Sequence, residues 1–178
     1  MPPVADVVAP RLRVLFCGIN PGLRSAAVGL HFARPGNRFW RVLHQSGFTA
    51  RMLAPAEQVD LPLVGIGITN LVDRPSAAAA EVSAEELRQG AVLLEEKVAR
   101  LRPATVAVLG IQAYRTAFRR PRAAVGPQPE GLAGARLWVL PNPSGLQARY
   151  QVPEMVALYS RLRVESDDGP GPPGNPAK

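Results

Sequence analysis

Two short loops carry the residue types best suited to chemistry. One reads Gly18-Ile19-Asn20-Pro21-Gly22, and the other Pro141-Asn142-Pro143-Ser144-Gly145-Leu146. An asparagine amide can hold a water molecule, while neighbouring proline and glycine fix the backbone so that N–H groups point at a ligand. The same residues also populate ordinary turns for their backbone preferences, so neither loop is decisive alone. A third segment, Thr69-Asn70-Leu71-Val72-Asp73, adds a carboxylate. Asp73 is suited to stabilising positive charge or helping to activate water; its structural alternative is pairing with Arg74 or capping the following loop.

Other chemistries are poorly served. Cys17 is the single cysteine, which excludes an internal disulfide, a cysteine-based zinc site and an iron–sulfur cluster held within the chain. His31 and His44 are not spaced as ligands on one helical turn, and no H-E-x-x-H pattern occurs. A structural zinc site is therefore not expected. A nucleotide-binding oxidoreductase is suggested by Gly65-Ile66-Gly67, but the third glycine of that fingerprint is missing and these glycines lie inside an expected strand. Phosphate loops of the G-x-x-x-x-G-K-S/T type and G-x-S-x-G nucleophile turns are also absent.

The loops need elements to hold them. Residues 13–17 form a β-branched and aromatic run ending at the first loop, and residues 64–69 read as a second buried strand. Residues 105–109 and 136–140 supply two more strands, the last running into the second loop. Ser83-Ala84-Glu85-Glu86 is a capping box, after which Leu87, Ala91, Leu94, Val98 and Leu101 recur at helical spacing until Pro103. Further helices are predicted over 38–46, capped by Asn37 and stopped by Gly47, over 111–118 and over 153–163. Residues 119–130 read as a basic loop, and there is no internal repeat.

Strands alternating with helices imply an α/β fold with a mostly parallel sheet covered on both faces. In such a sheet the loops leaving the carboxyl ends of the strands gather along one edge. The two Asn-Pro loops and the Asp73 segment are therefore expected to face a common cleft.

A chain of 178 residues with 47% hydrophobic content can bury one sizeable core. One domain is expected over residues 1–163, with residues 1–10 free to be flexible, and residues 164–178 form a tail too polar and Pro/Gly-rich to order. The apolar runs are too short to cross a bilayer, and residues 1–10 lack the pattern of a secretory signal, so a cytoplasmic location is expected, with nucleoid association if the source is bacterial. The net charge is +7, and residues after Arg163 contribute −2, leaving +9 on the rest. A surplus of that size suits a polyanion, whose condensed counterions are released when arginine or lysine neutralises phosphates. Solvated arginines reflecting genomic base composition would give the same count.

At these loops the sequence resembles the mismatch-specific uracil-DNA glycosylase and thymine-DNA glycosylase family. Phe16-Cys17-Gly18-Ile19-Asn20-Pro21-Gly22-Leu23 is similar to the family's first motif and Leu140-Pro141-Asn142-Pro143-Ser144-Gly145-Leu146 to its second. Between them, the segments from His31 to Trp40 and from Gly67 to Pro75 also match, and the likeness covers residues 13–163. It implies a three-layer α/β/α fold and hydrolysis, without a metal or cofactor, of the bond between uracil and deoxyribose, mainly at G·U mismatches in double-stranded DNA, by a monomer. It also implies roles. Asn20 would place the attacking water, the backbone of Ile19 and Gly22 would bind the extruded base, and Phe32 would stack on it. Ser25 would sit near carbon 5 of the base, where bulk disfavours thymine, and Asn70 and Asn142 would complete the pocket. Ser144, Gly145, Leu146, Gln147 and Arg149 would meet DNA, with Leu146 as the wedge that fills the vacated space. Related proteins place an arginine shortly after that leucine; here Ala148 precedes Arg149. The non-enzymatic alternative is a basic nucleic-acid-binding domain that keeps the fold without catalysis.

Overall fold

The structure, a computed structural model, describes residues 1–145 and 149–168. Five strands form one sheet: β1 (Val14–Gly18), β2 (Ile66–Asn70), β3 (Thr105–Leu109), β4 (Gly126–Pro127) and β5 (Arg136–Leu140). Their order is β2-β1-β3-β5-β4, with β1, β2, β3 and β5 parallel and the short β4 antiparallel at the edge beside β5. All residues of β1, β2 and β3 are buried, as expected of a parallel sheet covered on both sides.

Alternation along the strands divides the core into two halves. Val14 and Phe16, with Ile66, Ile68, Ala107, Leu109, Trp138 and Leu140, pack beneath α2 (Phe39–Gln45) and α5 (Val152–Asp168). The intervening residues, Leu15, Cys17, Val106, Val108, Leu137 and Val139, face α3 (Ala84–Leu101) and α4 (Ile111–Ala117). The result is three layers, helix on sheet on helix. Phe16 is a hub on the first face: it meets Phe39 and Phe48 edge-on at 5.5 Å and stacks on Tyr159 at 5.8 Å.

The expected capping box forms, with Glu86 N–H donating to Ser83 Oγ and Ser83 N–H to a Glu86 carboxylate oxygen. Asn37 Oδ1 accepts from Phe39 N–H at the start of α2. Gly47, at φ 90°, accommodates the left-handed turn that follows it.

Several boundaries differ from the sequence reading. A six-residue helix, α1 (Leu23–Val28), and 3₁₀ turns at Pro55–Val64 and Ala79–Glu81 were not expected, because such short or proline-bearing segments lack helical periodicity. β4 lies inside the predicted basic loop. β2 starts two residues later than read, after Gly65 adopts φ 77°. α5 continues five residues past Arg163, so residues 164–168 are helical and not tail. Ion pairs Arg161–Glu165 and Arg163–Asp167, spaced at one turn, and a further pair from Arg13 to Asp167 hold that extension. Residues 169–178, the rest of the expected tail, lie outside the described residues.

The amino-terminal arm is docked, contrary to the expected freedom of residues 1–10. Val4 and Val7 are buried, and Val7 exchanges two backbone hydrogen bonds with Ile68. Asp6 accepts from Thr69 Oγ1 at 2.8 Å and pairs with Lys97 at 2.5 Å. Among the described residues no helix is long and apolar enough to cross a membrane.

Candidate active site

The loops after β1, β2 and β5 leave the same edge of the sheet and enclose a cavity of about 540 Å³. Its wall takes Ile19, Asn20 and Gly22 from the first loop and Ser25 from α1. Phe32 from the loop before α2, Asn70 from the end of β2, and Asn142 and Ser144 from the loop after β5 complete the set. Eight residues singled out from the sequence thus share one cavity, and the two Asn-Pro loops border it together.

The orientation of Asn20 is chemically determined. Its Nδ2 donates to the Arg74 carbonyl and to Ser76 Oγ, both at 2.8 Å. Ser76 Oγ spends its own hydrogen on the Ala78 carbonyl at 2.7 Å, so it must accept from Asn20. Both amide hydrogens are therefore used, and no described residue donates to Asn20 Oδ1. That oxygen is left to accept a hydrogen bond at the cavity wall. Arg74 is itself clamped: its guanidinium bonds both carboxylate oxygens of Glu86, at 2.7 and 3.0 Å, and the Glu81 carbonyl. Arg74 pairs with Glu86 and not with Asp73. The guanidinium beside Glu86 holds that carboxyl down to about 2, helped by the Ser83 backbone N–H.

Asn70 forms the floor. β2 pairs with β1 so that Asn70 lies level with Gly18, and a Cβ added to Gly18 would stand 2.5 Å from Asn70 Oδ1 and 3.5 Å from the Phe32 ring. Only glycine at position 18 leaves room for both side chains. Asn70 is 9% exposed, and none of the described residues bonds its amide. A buried, unpartnered amide that lines a cavity is suited to a polar ligand edge that both donates and accepts.

Phe32 packs on Phe39 with ring centroids 4.2 Å apart and holds φ 52°, a left-handed conformation costly for a residue with a Cβ. Flanking bonds keep it there: Trp40 Nε1–H donates to the His31 carbonyl, and Ala33 N–H to the buried Ser25 Oγ. His31 also lines the cavity; burial lowers its pKa against the opposing pull of the Ala5 carbonyl and Asp6, so the ring is neutral and gives its Nε2–H to Ala5.

The loop after β5 is secured from α2's amino end. Arg38 donates to the carbonyls of Pro143, Ser144 and Tyr150, thereby holding residues on both sides of the 145–149 stretch. Asn142 Oδ1 accepts from Ser144 N–H. Gly145 fits closely, since a Cβ there would lie 2.7 Å from the Gly36 carbonyl oxygen.

Other expected site residues stand apart. Asp73 is exposed and does not line the cavity. Among the described residues neither Asp nor Glu contributes to its wall, so none of those lining it is a carboxylate able to act as general base. Gly145 lies outside the wall, and Arg149 lines an adjoining cavity of about 410 Å³ that shares Ile19 and Asn142 with the first. Leu146 and Gln147 lie outside the described residues. Ser76, Arg38 and the Glu86–Arg74 clamp were not foreseen as site components. Ser76 and Arg38 sit beside or within the matched segments, but their roles depend on partners between 56 and 112 residues distant in the chain. Among the described residues no cluster of three or more His, Cys, Asp or Glu is placed to hold a metal.

Residues 5–163 match the profile of the uracil DNA glycosylase superfamily. The chain belongs to that superfamily. The fold is also that of a solution NMR structure of a candidate uracil DNA glycosylase from Methanosarcina acetivorans, with a TM-score of 0.61, 20% identity, and coverage of 91% of this chain and 98% of that one. Superfamily membership supports a DNA glycosylase activity on uracil.

Proposed function

We propose that this chain is a monofunctional, mismatch-directed uracil-DNA glycosylase that extrudes uracil from duplex DNA and hydrolyses its bond to deoxyribose, leaving an abasic site. The observation that carries this reading is the anchored Asn20 amide, whose Oδ1 is left for a water in a cavity that also presents the unpartnered Asn70 and the Phe32 ring. Asn70 offers a donor and an acceptor to the polar edge of uracil, while Phe32 covers the base's face.

An amide cannot take a proton at neutral pH, so Asn20 orients a water molecule without deprotonating it. With no carboxylate in the cavity wall, the glycosidic bond must break largely ahead of attack, building positive charge on the sugar and negative charge on uracil. Backbone N–H groups near Ile19 and the Asn70 amide stabilise the departing anion, and DNA phosphates stabilise the sugar cation. The water held at Asn20 then adds to the anomeric carbon and releases its proton to solvent. Asp73 is assigned no part in this sequence. Ser25, at the wall with its oxygen engaged by Ala33, is read as the position that limits bulk near carbon 5 of the base. The protein is proposed to act as a monomer on G·U pairs, in the cytoplasm.

A duplex containing one G·U pair tests this. Alkali-sensitive abasic sites formed without added metal, and more slowly with A·U, are the expected result. Tight duplex binding with no uracil release would favour the non-catalytic nucleic-acid-binding alternative.

A further inference from the structure

The mouth of the cavity carries two arginines to which the scheme above gives no role. Arg24, in α1, and Arg34, in the loop before α2, both line the cavity and are exposed. Some arginines elsewhere on the surface meet carboxylates, as Arg51 does Glu57 and Arg74 does Glu86, while others, Arg41 and Arg100 among them, are exposed without an ion pair among the described residues but do not line the cavity. None of the described residues accepts a bond from Arg24 or Arg34, and the cavity wall contains no acid to neutralise them. Two uncompensated positive charges at one opening form a local surplus that folding alone does not require.

Their spacing is built into the backbone. The Oγ of Ser25, a residue 6% exposed, accepts from Ala33 N–H at 3.0 Å, so one part-buried hydrogen bond joins the residue after Arg24 to the residue before Arg34. Gln58 ties the same region from below: its Oε1 accepts from His31 N–H at 2.9 Å and its Nε2 donates to the Gly29 carbonyl at 3.4 Å. The two side chains therefore rise from a braced rim, and only their own rotamers must be ordered on binding.

We infer that Arg24 and Arg34 form a phosphate clamp, each gripping a backbone phosphate of the strand whose nucleotide enters the cavity. A guanidinium fork matches phosphate oxygens in a way that a neutral base edge does not, and the cavity already supplies neutral amides for the base. The clamp holds the strand at the opening on either side of the extruded nucleotide. This inference rests on the reading that the chain works on DNA, and Ser25 acquires a second role as the strut that spaces the arginines.

The test measures binding of the full chain to a duplex carrying a tetrahydrofuran abasic site, between about 50 and 200 mM NaCl, where phosphate contacts dominate the salt response. Arg24→Gln and Arg34→Gln should each weaken binding about three- to tenfold and lower the slope of log affinity against log salt by about one, with the double variant losing about two. Arg100→Gln, in the last turn of α3 at the opposite edge of the sheet, should keep the wild-type slope. Rim variants with wild-type slopes, alongside normal uracil release by the wild type, would overturn the clamp and leave the glycosylase reading standing. The expected slope changes in a protein that releases no uracil would support the clamp and overturn that reading. Absence of duplex binding by the wild type would sink both.

Discussion

At the scale of single residues, the decisive feature is that Asn20 has spent both amide hydrogens inside the protein. A turn-forming asparagine usually bonds its own neighbouring backbone; this one reaches residues 74 and 76. Asn20→Ala should slow uracil release by about a hundredfold, the scale of a lost positioning contact, while leaving affinity for an abasic duplex near wild type. Near-normal turnover in a single-turnover assay would remove Asn20 from the mechanism. His31 sets a pH limit. Burial holds its pKa below the ordinary 6.5, so the folded state binds fewer protons than the unfolded chain between those values. Its contribution is complete above pH 6.5 and is lost as pH falls through the folded value. Thermal unfolding should therefore show stability declining on acidification below about pH 6.5, and His31→Gln, which can still donate to Ala5, should flatten that decline.

At the scale of elements, the start of α3 does two things. Glu86 closes the capping box on Ser83 and also clamps Arg74, whose carbonyl orients Asn20. In the proposed scheme Glu86 is thus a positioning residue, two contacts from Asn20. Glu86→Gln should lower kcat several-fold with little change in abasic-duplex affinity, and the effect should vanish in an Asn20→Ala background, where there is no amide left to orient. Additive losses in that double-mutant cycle would contradict the connection. On α5, Tyr159 stacks on Phe16 but its hydroxyl is fully buried with no hydrogen-bond partner among the described residues. Tyr159→Phe keeps the packing and removes the stranded group, so it should raise stability by about 1 kcal/mol in urea unfolding.

At the scale of the whole molecule, a central strand buried on both faces opens only when the domain does. Cys17 lies in β1 with no exposure, and burial pushes its thiol well above the usual range. Alkylation by iodoacetamide should be negligible in native buffer and should track global unfolding across a urea titration, whereas rapid modification without denaturant would reveal local opening of β1. The strands and the capped helix α3 were legible because their signals are local: apolar runs of strand length, a capping box, helical spacing. So was the gathering of the Asn-Pro loops, since parallel strands deliver their carboxyl ends to one edge. The helix α1 escaped because six residues are too few to show a period, and the docked amino-terminal arm and the far end of α5 because contacts distant in sequence stabilise them. Asp73 shows the limit most clearly. Its place just beyond β2 suits it to the sheet edge as well as Asn70, yet Asn70, level with Gly18, lines the cavity while Asp73, in the loop beyond the strand, is exposed. By itself, then, the order of residues determined the layers, the sheet edge and the family motifs, which depend on periodicity and chain direction. Tertiary structure alone decided which amide hydrogens were used, which carboxylate was excluded and which arginines stayed uncompensated, because each depends on partners brought together only when separate segments pack.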